Sequence, residues 1–328
     1  MKLLRFISTR LFQALPLALM VVVLNFFLLK AVPGDLADVI AGEAGAATPE
    51  FMAQLRSQFG DDQPLLVQFG QYVKKILSFD LGWSFRYNDA VAHLILERLL
   101  ATVLLMGCAS LLAVVLGTVL GIVSAVTRRA WLSRAISALA TLGFATPGFW
   151  LALMVVVLFT IRLGWLPSGG MTEMGASHTG FAYLIDLGKH MLMPVGCLAF
   201  SYLALYIRLM HDAVRDAALL DFVRTARAKG SSRNRLIWRH IVPYAVLPVV
   251  GLSGLQFGAL LSGAITVETV FAWPGLGQLA LAAVTSRDIN LLLGILFVSS
   301  LFVVAVNLLT ELLLAWLDPR IDATGSRT

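Results

Sequence analysis

The sequence predicts an all-α integral membrane protein of six transmembrane helices, with both termini cytoplasmic and a small helical region outside, between the first two helices. Three observations carry this: the overall hydropathy, six uncharged runs, and the uneven placement of Lys and Arg. The chain is 59% hydrophobic and 13% charged, and its mean hydropathy of +0.84 excludes a soluble globular protein.

A bilayer-spanning helix needs about 20 mainly apolar residues, with about 17 as the lower limit. Leu11–Leu29, Leu99–Thr127, Ala135–Ile161, Met191–Ile207, Ile241–Val267 and Ile289–Thr310 all lack Asp, Glu, Lys and Arg. The first run follows Lys2, Arg5 and Arg10, as a signal peptide would, but it is longer than the roughly 7–15 residues of a signal h-region. It is expected to be an uncleaved first helix.

Cationic loops stay on the cytoplasmic side. With the N-terminus inside, segments 1–10, 128–134, 208–240 and 318–328 hold 16 basic residues in 61, whereas 33–98, 162–190 and 268–288 hold 8 in 116. The density differs more than threefold, so both termini and the 208–240 loop are placed inside. The net charge of +6 follows from this bias and is no sign of nucleic-acid binding.

Residues 1–32 are thus the N-terminus and first helix, and 33–98 the outer loop. Residues 99–318 form a five-helix core containing the inner loop 208–243, and 319–328 a tail. In the outer loop, Thr48 is a good N-cap with Pro49 at the first helical position, and Gly60 closes that helix. Pro64 opens a second helix to about Phe79, which Asp80-Leu81-Gly82 breaks. Gly117-x3-Gly121 and Gly254-x3-Gly258 are small-residue patterns that let helix backbones approach, within the chain or at a subunit interface. Pro147, Pro194 and Pro248 fall within spans, where each removes a backbone hydrogen bond and favours a kink.

Several chemistries are missing. GxxxxGK[ST], whose backbone N–H groups cradle phosphates, does not occur; the single Gly-Lys pair, Gly188-Lys189, is followed by His190. Gly251-Leu252-Ser253-Gly254 has the form of a rhomboid protease motif, but no histidine follows Ser253 to act as its base. Cys108 and Cys197 have no spacing that suggests a metal site or a disulfide. Ion-driven transporters carry ionisable groups deep in the bilayer. Here the runs hold only neutral groups such as Asn25, Gln256 and Asn307, while Arg162, Glu268 and Glu311 sit near span ends, where they can snorkel. Energy for any transport therefore enters from outside the chain. A stand-alone channel or secondary transporter is the alternative from another class, and an intramembrane enzyme lacks a catalytic pair.

The inner stretch 221–240 concentrates six Arg or Lys among Thr225, Ala226, Ala228 and Gly230. Asp221 can N-cap a short helix to Lys229, and Gly230 suits the left-handed position that ends one. Ser231 or Ser232 can cap a second helix running into the fifth span. Such an elbow could enter a groove on a partner and transmit a rigid-body push; a solvated basic loop is the other reading of the spacing.

Residues 224–243 resemble the EAA loop of the membrane subunits of binding-protein-dependent ABC importers. Ala226, Gly230 and Pro243 are in register, while Arg224, Thr225, His240 and Val242 replace the usual Glu, Ala, Ile and Leu. Phe222–Gly230, FVRTARAKG, is close to the YVRTARAKG of the dipeptide/oligopeptide/nickel branch. Phe79–Ser84 (FDLGWS), Thr146–Trp150 (TPGFW), Gly164–Pro167 (GWLP) and Glu268–Gly277 (ETVFAWPGLG) are similar to elements of the same branch. His211 departs from it, standing where a second Arg is usual, and is expected to weaken an inner contact with lipid or ATPase.

The resemblance implies a permease subunit with no enzyme activity and no cofactor or metal of its own. It implies a second homologous permease, and two ABC ATPase subunits that hold ATP and Mg2+. A periplasmic substrate-binding protein and an inner-membrane location complete the picture. Asp221, Arg224, Thr225, Ala226, Arg227, Ala228, Lys229 and Gly230 would form the coupling loop. Asp80, Gly82, Trp83, Trp273, Pro274 and Gly275 would lie on the binding-protein side. Members of the branch carry dipeptides, oligopeptides, glutathione or nickel chelates.

Overall fold

The computed structural model describes residues 2–31, 63–84, 86–173, 175 and 179–317. Thr48, Pro49, Gly60 and the tail 319–328 lie outside them. The chain is mostly helical: α1 (Lys2–Ala31), α2 (Leu65–Leu77), α3 (Val91–Val126), α4 (Ala130–Ala145), α5 (Gly148–Val156), α6 (Phe181–Ala217), α7 (Asp221–Ala228), α8 (Arg233–Leu236), α9 (Val242–Val270), α10 (Leu276–Thr285) and α11 (Ile289–Leu317). Wider π-helical turns at Val157–Arg162 and Ile237–Ile241 prolong α5 and join α8 to α9. The all-α expectation takes one amendment. A minimal hairpin, β1 (Trp83–Ser84) with β2 (Asp89–Ala90), pairs Trp83 with Ala90 and Ser84 with Asp89.

Val91–Val126, Phe181–Ala217, Arg233–Leu261 and Ile289–Leu317 are long and apolar enough to cross a membrane. A fifth span exists if Ala130–Ala145 and Gly148–Arg162 are taken together, bent by 102° at their break. The break has a local cause. Thr146 precedes Pro147 and is extended at φ −87°, ψ 121°, since the proline ring disfavours the helical region for the residue before it. Pro194 and Pro248 instead sit inside the continuous helices α6 and α9. In α1 the apolar part is Pro16–Lys30.

The chain forms two compact units: Met1–Phe6 with Leu99–Gln278 and Val303–Thr328, and Ile7–Arg98 with Leu279–Phe302. In the first, α6 is the central helix, packed by α4, α5 and α9. One core cluster gathers Ala113, Tyr206, Met210, Val214, Val223, Ala226, Leu236 and Val249. A second gathers Leu105, Ala109, Ala152, Met193, Cys197, Val267 and Trp273. The small-residue patterns serve packing within the chain. A Cβ at Gly121 would lie 2.7 Å from the Met210 Cβ, and one at Gly254 would lie 2.7 Å from the Thr310 Cβ.

In the second unit Val22, Ile76 and Phe297 form a small core, beside which Phe26 meets Phe69 edge-on. Helix α2 follows Pro64 as expected, and Phe79 and Gly82, at φ 56° and 88°, turn the chain after it. The hairpin is pinned by Asp288. Buried Ser84 donates its hydroxyl to Asp288 Oδ2 at 2.5 Å, and Asp288 Oδ1 accepts the Leu291 N–H at 3.1 Å as the N-cap of α11. Asn290 donates to the Trp83 carbonyl at 3.2 Å. At the base of the hairpin the His93 hydrogen bond, then the Ala90 N–H, hold the Asp89 carboxyl below the usual carboxylate range.

Asp288→Ala removes a helix cap and strands a buried hydroxyl, together worth about 2–3 kcal/mol. Amide exchange at Trp83–Ala90 is expected to accelerate, with Asp288→Asn milder because it keeps a capping oxygen. Unchanged exchange in Asp288→Ala would show that the hairpin does not depend on this contact.

Candidate functional site

The basic stretch folds into an elbow. Helix α6 ends at Ala217, and a tight turn, Leu219 N–H to Asp216 O and Leu220 N–H to Ala217 O, reverses the chain into α7. Leu220 takes the extended N-cap position, and no side chain caps α7. Asp221 is therefore the first helical residue, not the cap expected from the sequence. Its carboxylate still favours the positive end of the helix dipole. Its 3.6 Å pair with Arg224 is exposed on both sides and worth little.

At the other end Gly230 stands at φ 79°. Its N–H bonds to Arg227 O at 3.0 Å, and the Ser231 N–H to Ala226 O at 3.2 Å. This pair of bonds is the Schellman closure, which needs one left-handed residue. No atom lies within 4 Å of a Cβ built on Gly230, so backbone conformation alone selects glycine. Ser232 then takes the N-cap position of α8 through its backbone, without a side-chain bond. The π-helical turn leads into α9, with Pro243 in its first turn.

Burial divides the elbow into two faces. Val223, wholly buried, and Ala226, at 8% exposure, face the chain's own core with Leu236 and Ile241. Arg224, Thr225, Arg227, Ala228, Lys229 and Gly230 are exposed. The structure thus brings all eight predicted loop residues together, but Ala226 points inward, and bulk there would meet the core before any partner. Packing of apolar residues three apart on a short helix fixes its orientation. The elbow is consequently seated on the chain's own core and is not a detached loop.

Two further contacts, not foreseen from the sequence, tie the elbow's surroundings together. Arg233 Nη2 donates to the carbonyl of Val126, the last residue of α3, at 2.6 Å, satisfying one of the carbonyls a helix end leaves open. His211 Nδ1 lies 3.1 Å from the Ser124 hydroxyl, which lies 3.2 Å from that of Ser133. His211 Nδ1 therefore faces Ser124 of α3, at the position where the sequence suggested a weakened inner contact with lipid or ATPase.

The other predicted set splits between the two units. Asp80, Gly82 and Trp83 are exposed beside the hairpin, with the Asp80 carboxylate accepting the Gly82 N–H at 3.1 Å. Trp273 is fully buried and donates its indole N–H to Ala101 O at 2.9 Å, and Gly275 is also buried. Neither can touch a docked protein; of the three only Pro274 is partly accessible. Glu268 corrects another expectation. It is 0% exposed, fixed by Thr102 at 2.8 Å and the Gln278 N–H at 3.0 Å, and does not snorkel. Among the described residues no cluster of His, Cys, Asp or Glu could hold a metal ion.

Two family models match the chain. "Binding-protein-dependent transport system inner membrane component" covers residues 117–323, and its N-terminal companion covers residues 3–106. A putative peptide transport system permease of Brucella abortus strain 2308 is 36% identical over 316 residues, covering 96% of this chain and 98% of its own. A putative peptide permease of Brucella suis biovar 1 is 39% identical over 322 residues, covering 98% and 100%. The probable D,D-dipeptide transport system permease DdpB of Escherichia coli K12 is 37% identical over 321 residues, covering 93% and 94%. Among solved structures, an inward-facing MetNI methionine ABC transporter chain superposes with a TM-score of 0.55 at 15% identity, covering 69% of this chain and 96% of that one. At that identity the likeness is one of fold.

Proposed function

This chain belongs to the binding-protein-dependent transport system inner membrane component family, and from that membership we infer that it is the permease subunit of an ATP-driven ABC importer. It is a multi-pass protein of the inner membrane. Several relatives 34–39% identical to it are named for peptides or dipeptides, so a peptide-like solute is the cargo proposed here. The observation that carries the reading is the match of both family models, which together take in residues 3–106 and 117–323.

Six spans with both termini cytoplasmic are the arrangement favoured by the six uncharged runs and by the Lys/Arg bias. In it the elbow faces the cytoplasm, where each of two ATPase subunits accepts one such elbow from this permease and from a second, homologous one. ATP and Mg2+ are held by those ATPases. A periplasmic binding protein delivers the solute on the outer side, where Asp80, Gly82 and Trp83 are the exposed candidates for contact and Pro274 a partial one.

The elbow's build suits such coupling. A push on Arg224, Thr225, Arg227, Ala228 or Lys229 bears on a helix seated through Val223 and Ala226 on α6 and α9. That seating favours displacement of whole helices over local yielding, the rigid-body mode of switching. Arg233 extends the load to α3.

The test is purification in mild detergent followed by identification of whatever accompanies the chain, then uptake in proteoliposomes. Two Walker-A proteins and a second multi-span permease are expected, with uptake that requires ATP and the binding protein. Uphill uptake by the chain alone would overturn the assignment in favour of a secondary transporter.

A further inference from the structure

The elbow lies at one end of α9, and the other end carries a fully buried carboxylate that the coupling scheme leaves unused. At about 1.5 Å per residue, Glu268 is roughly 40 Å along the rod from Ile241. Every group placed against its carboxylate is a donor. Thr102 Oγ1 accepts the Leu276 N–H at 2.7 Å, so its hydroxyl proton is free to go to Glu268 Oε1 at 2.8 Å. Oε2 accepts the Gln278 N–H at 3.0 Å, and the Gly277 N–H also bonds the carboxylate.

Leu276, Gly277 and Gln278 open α10, and the first N–H groups of a helix have no partner within it. Here Glu268 and Thr102, from α9 and α3, satisfy three of them. A Cβ on Gly275 would fall on the Glu268 carboxylate, and one on Gly277 would lie 2.8 Å from its Oε2; glycines at both positions let the chain wrap this closely.

The surroundings are equally committed. Helix α9 ends in the same two-bond closure as α7, Ala272 N–H to Thr269 O and Trp273 N–H to Glu268 O. Its left-handed residue is Ala272 at φ 46°, a conformation unfavourable to an L-residue. Trp273 is sealed against α3 through Ala101, and Gly170 donates to Phe271 O at 2.8 Å. A strained turn persists only where its surroundings over-determine it, and such turns cluster at working sites.

We propose that Glu268 is a positioning residue: it clasps the far end of α9 to α3 and to the start of α10, giving the lever moved by the elbow a fixed pivot. Without the clasp, motion at the elbow is lost as slack at this corner and does not redirect the bundle. The inference rests on the permease assignment above and adds to it a named second fixed point.

The test uses the assembled transporter in proteoliposomes, with its binding protein and a mixture of tritiated di- and tripeptides. The readout is solute taken up per ATP hydrolysed by assembled complex. Glu268→Gln puts an amide donor among donors, and Thr102→Val deletes the shared hydroxyl. Each is expected to lower that ratio about 10-fold, and the double variant to fall no further than the worse single. Thr102→Ser keeps the hydroxyl and is expected to restore the ratio. Amide exchange at Leu276, Gly277 and Gln278 should accelerate about 10-fold in both defective variants; this measurement needs no solute.

Unchanged exchange overturns the clasp. So does a preserved ratio with merely less assembled complex, which would mark a purely structural role, or an additive loss in the double variant. If Glu268→Gln fails to assemble, the two Thr102 variants decide. Uptake by the parent complex without ATP would instead overturn the importer assignment while leaving the exchange result standing.

Discussion

Gly230→Val yields a chain that inserts and packs, yet takes up solute at least about 10-fold more slowly in the assembled transporter. The cause is confined to the backbone. At φ 79° an L-residue is held in the left-handed region, at about 1–2 kcal/mol, and a β-branched one fares worse because its χ1 is also restricted. Nothing else near Gly230 would object, since no neighbour lies within 4 Å of an added Cβ. The cheapest escape is to give up the two closing bonds, from Gly230 to Arg227 and from Ser231 to Ala226. That swings α8 away from α7 and misdirects the exposed cationic face. Uptake per assembled complex should rank Gly above Asn, Asn above Ala, and Ala above Val, since Asn tolerates this conformation best among the substitutes. Equal uptake by the Gly and Val forms would remove the elbow from the mechanism.

Gly121→Val is expected to damage the fold itself. A Cβ there would sit 2.7 Å from the Met210 Cβ and 2.8 Å from the Ile207 carbonyl oxygen. The second obstacle is backbone, which cannot rotate aside, so α3 must back away from α6. Overpacking of this kind costs about 1–3 kcal/mol and sometimes more. A fall of roughly 2–5 °C in the Tm of the detergent-solubilised chain follows, with less monodisperse protein recovered. Gly107→Ala, on the same helix with nothing within 4 Å of its Cβ, is the control and should melt with the parent. Identical melting of the Gly121 and Gly107 variants would mean that α3 and α6 do not cross so closely.

The helices could be read from the sequence because hydropathy is a sum over many residues, and a run such as Leu99–Thr127 signals itself whatever its neighbours are. Gly230 was legible for a different reason: its conformation is dictated locally, by residues within one turn. What escaped depends on contacts distant in sequence. Glu268 looked like a residue at a span end because its apolar run stops at Val267. Only the fold brings Thr102, 166 positions away, to its carboxylate. The resemblance put Trp273 on the binding-protein side, whereas its indole is sealed by Ala101 from 172 positions away. Ala226 belongs to the elbow expected to enter a partner's groove, and small residues admit such an approach. Which approach they admit, outward to a groove or inward to Leu236 and Ile241, is set by the facing of α7. Asp221 missed its cap by one position, since the turn closing α6 draws Leu220 into the extended conformation.

The burial of Trp273 has a practical consequence. Of the seven indoles in the chain, those of Trp83, Trp131, Trp150, Trp165, Trp238 and Trp316 are between 44% and 76% exposed, while that of Trp273 is 0% exposed. Quenchers dissolved in lipid or water reach the six and miss the seventh. The emission that survives them is an intrinsic optical gauge of a single corner of the molecule, legible without attaching any dye.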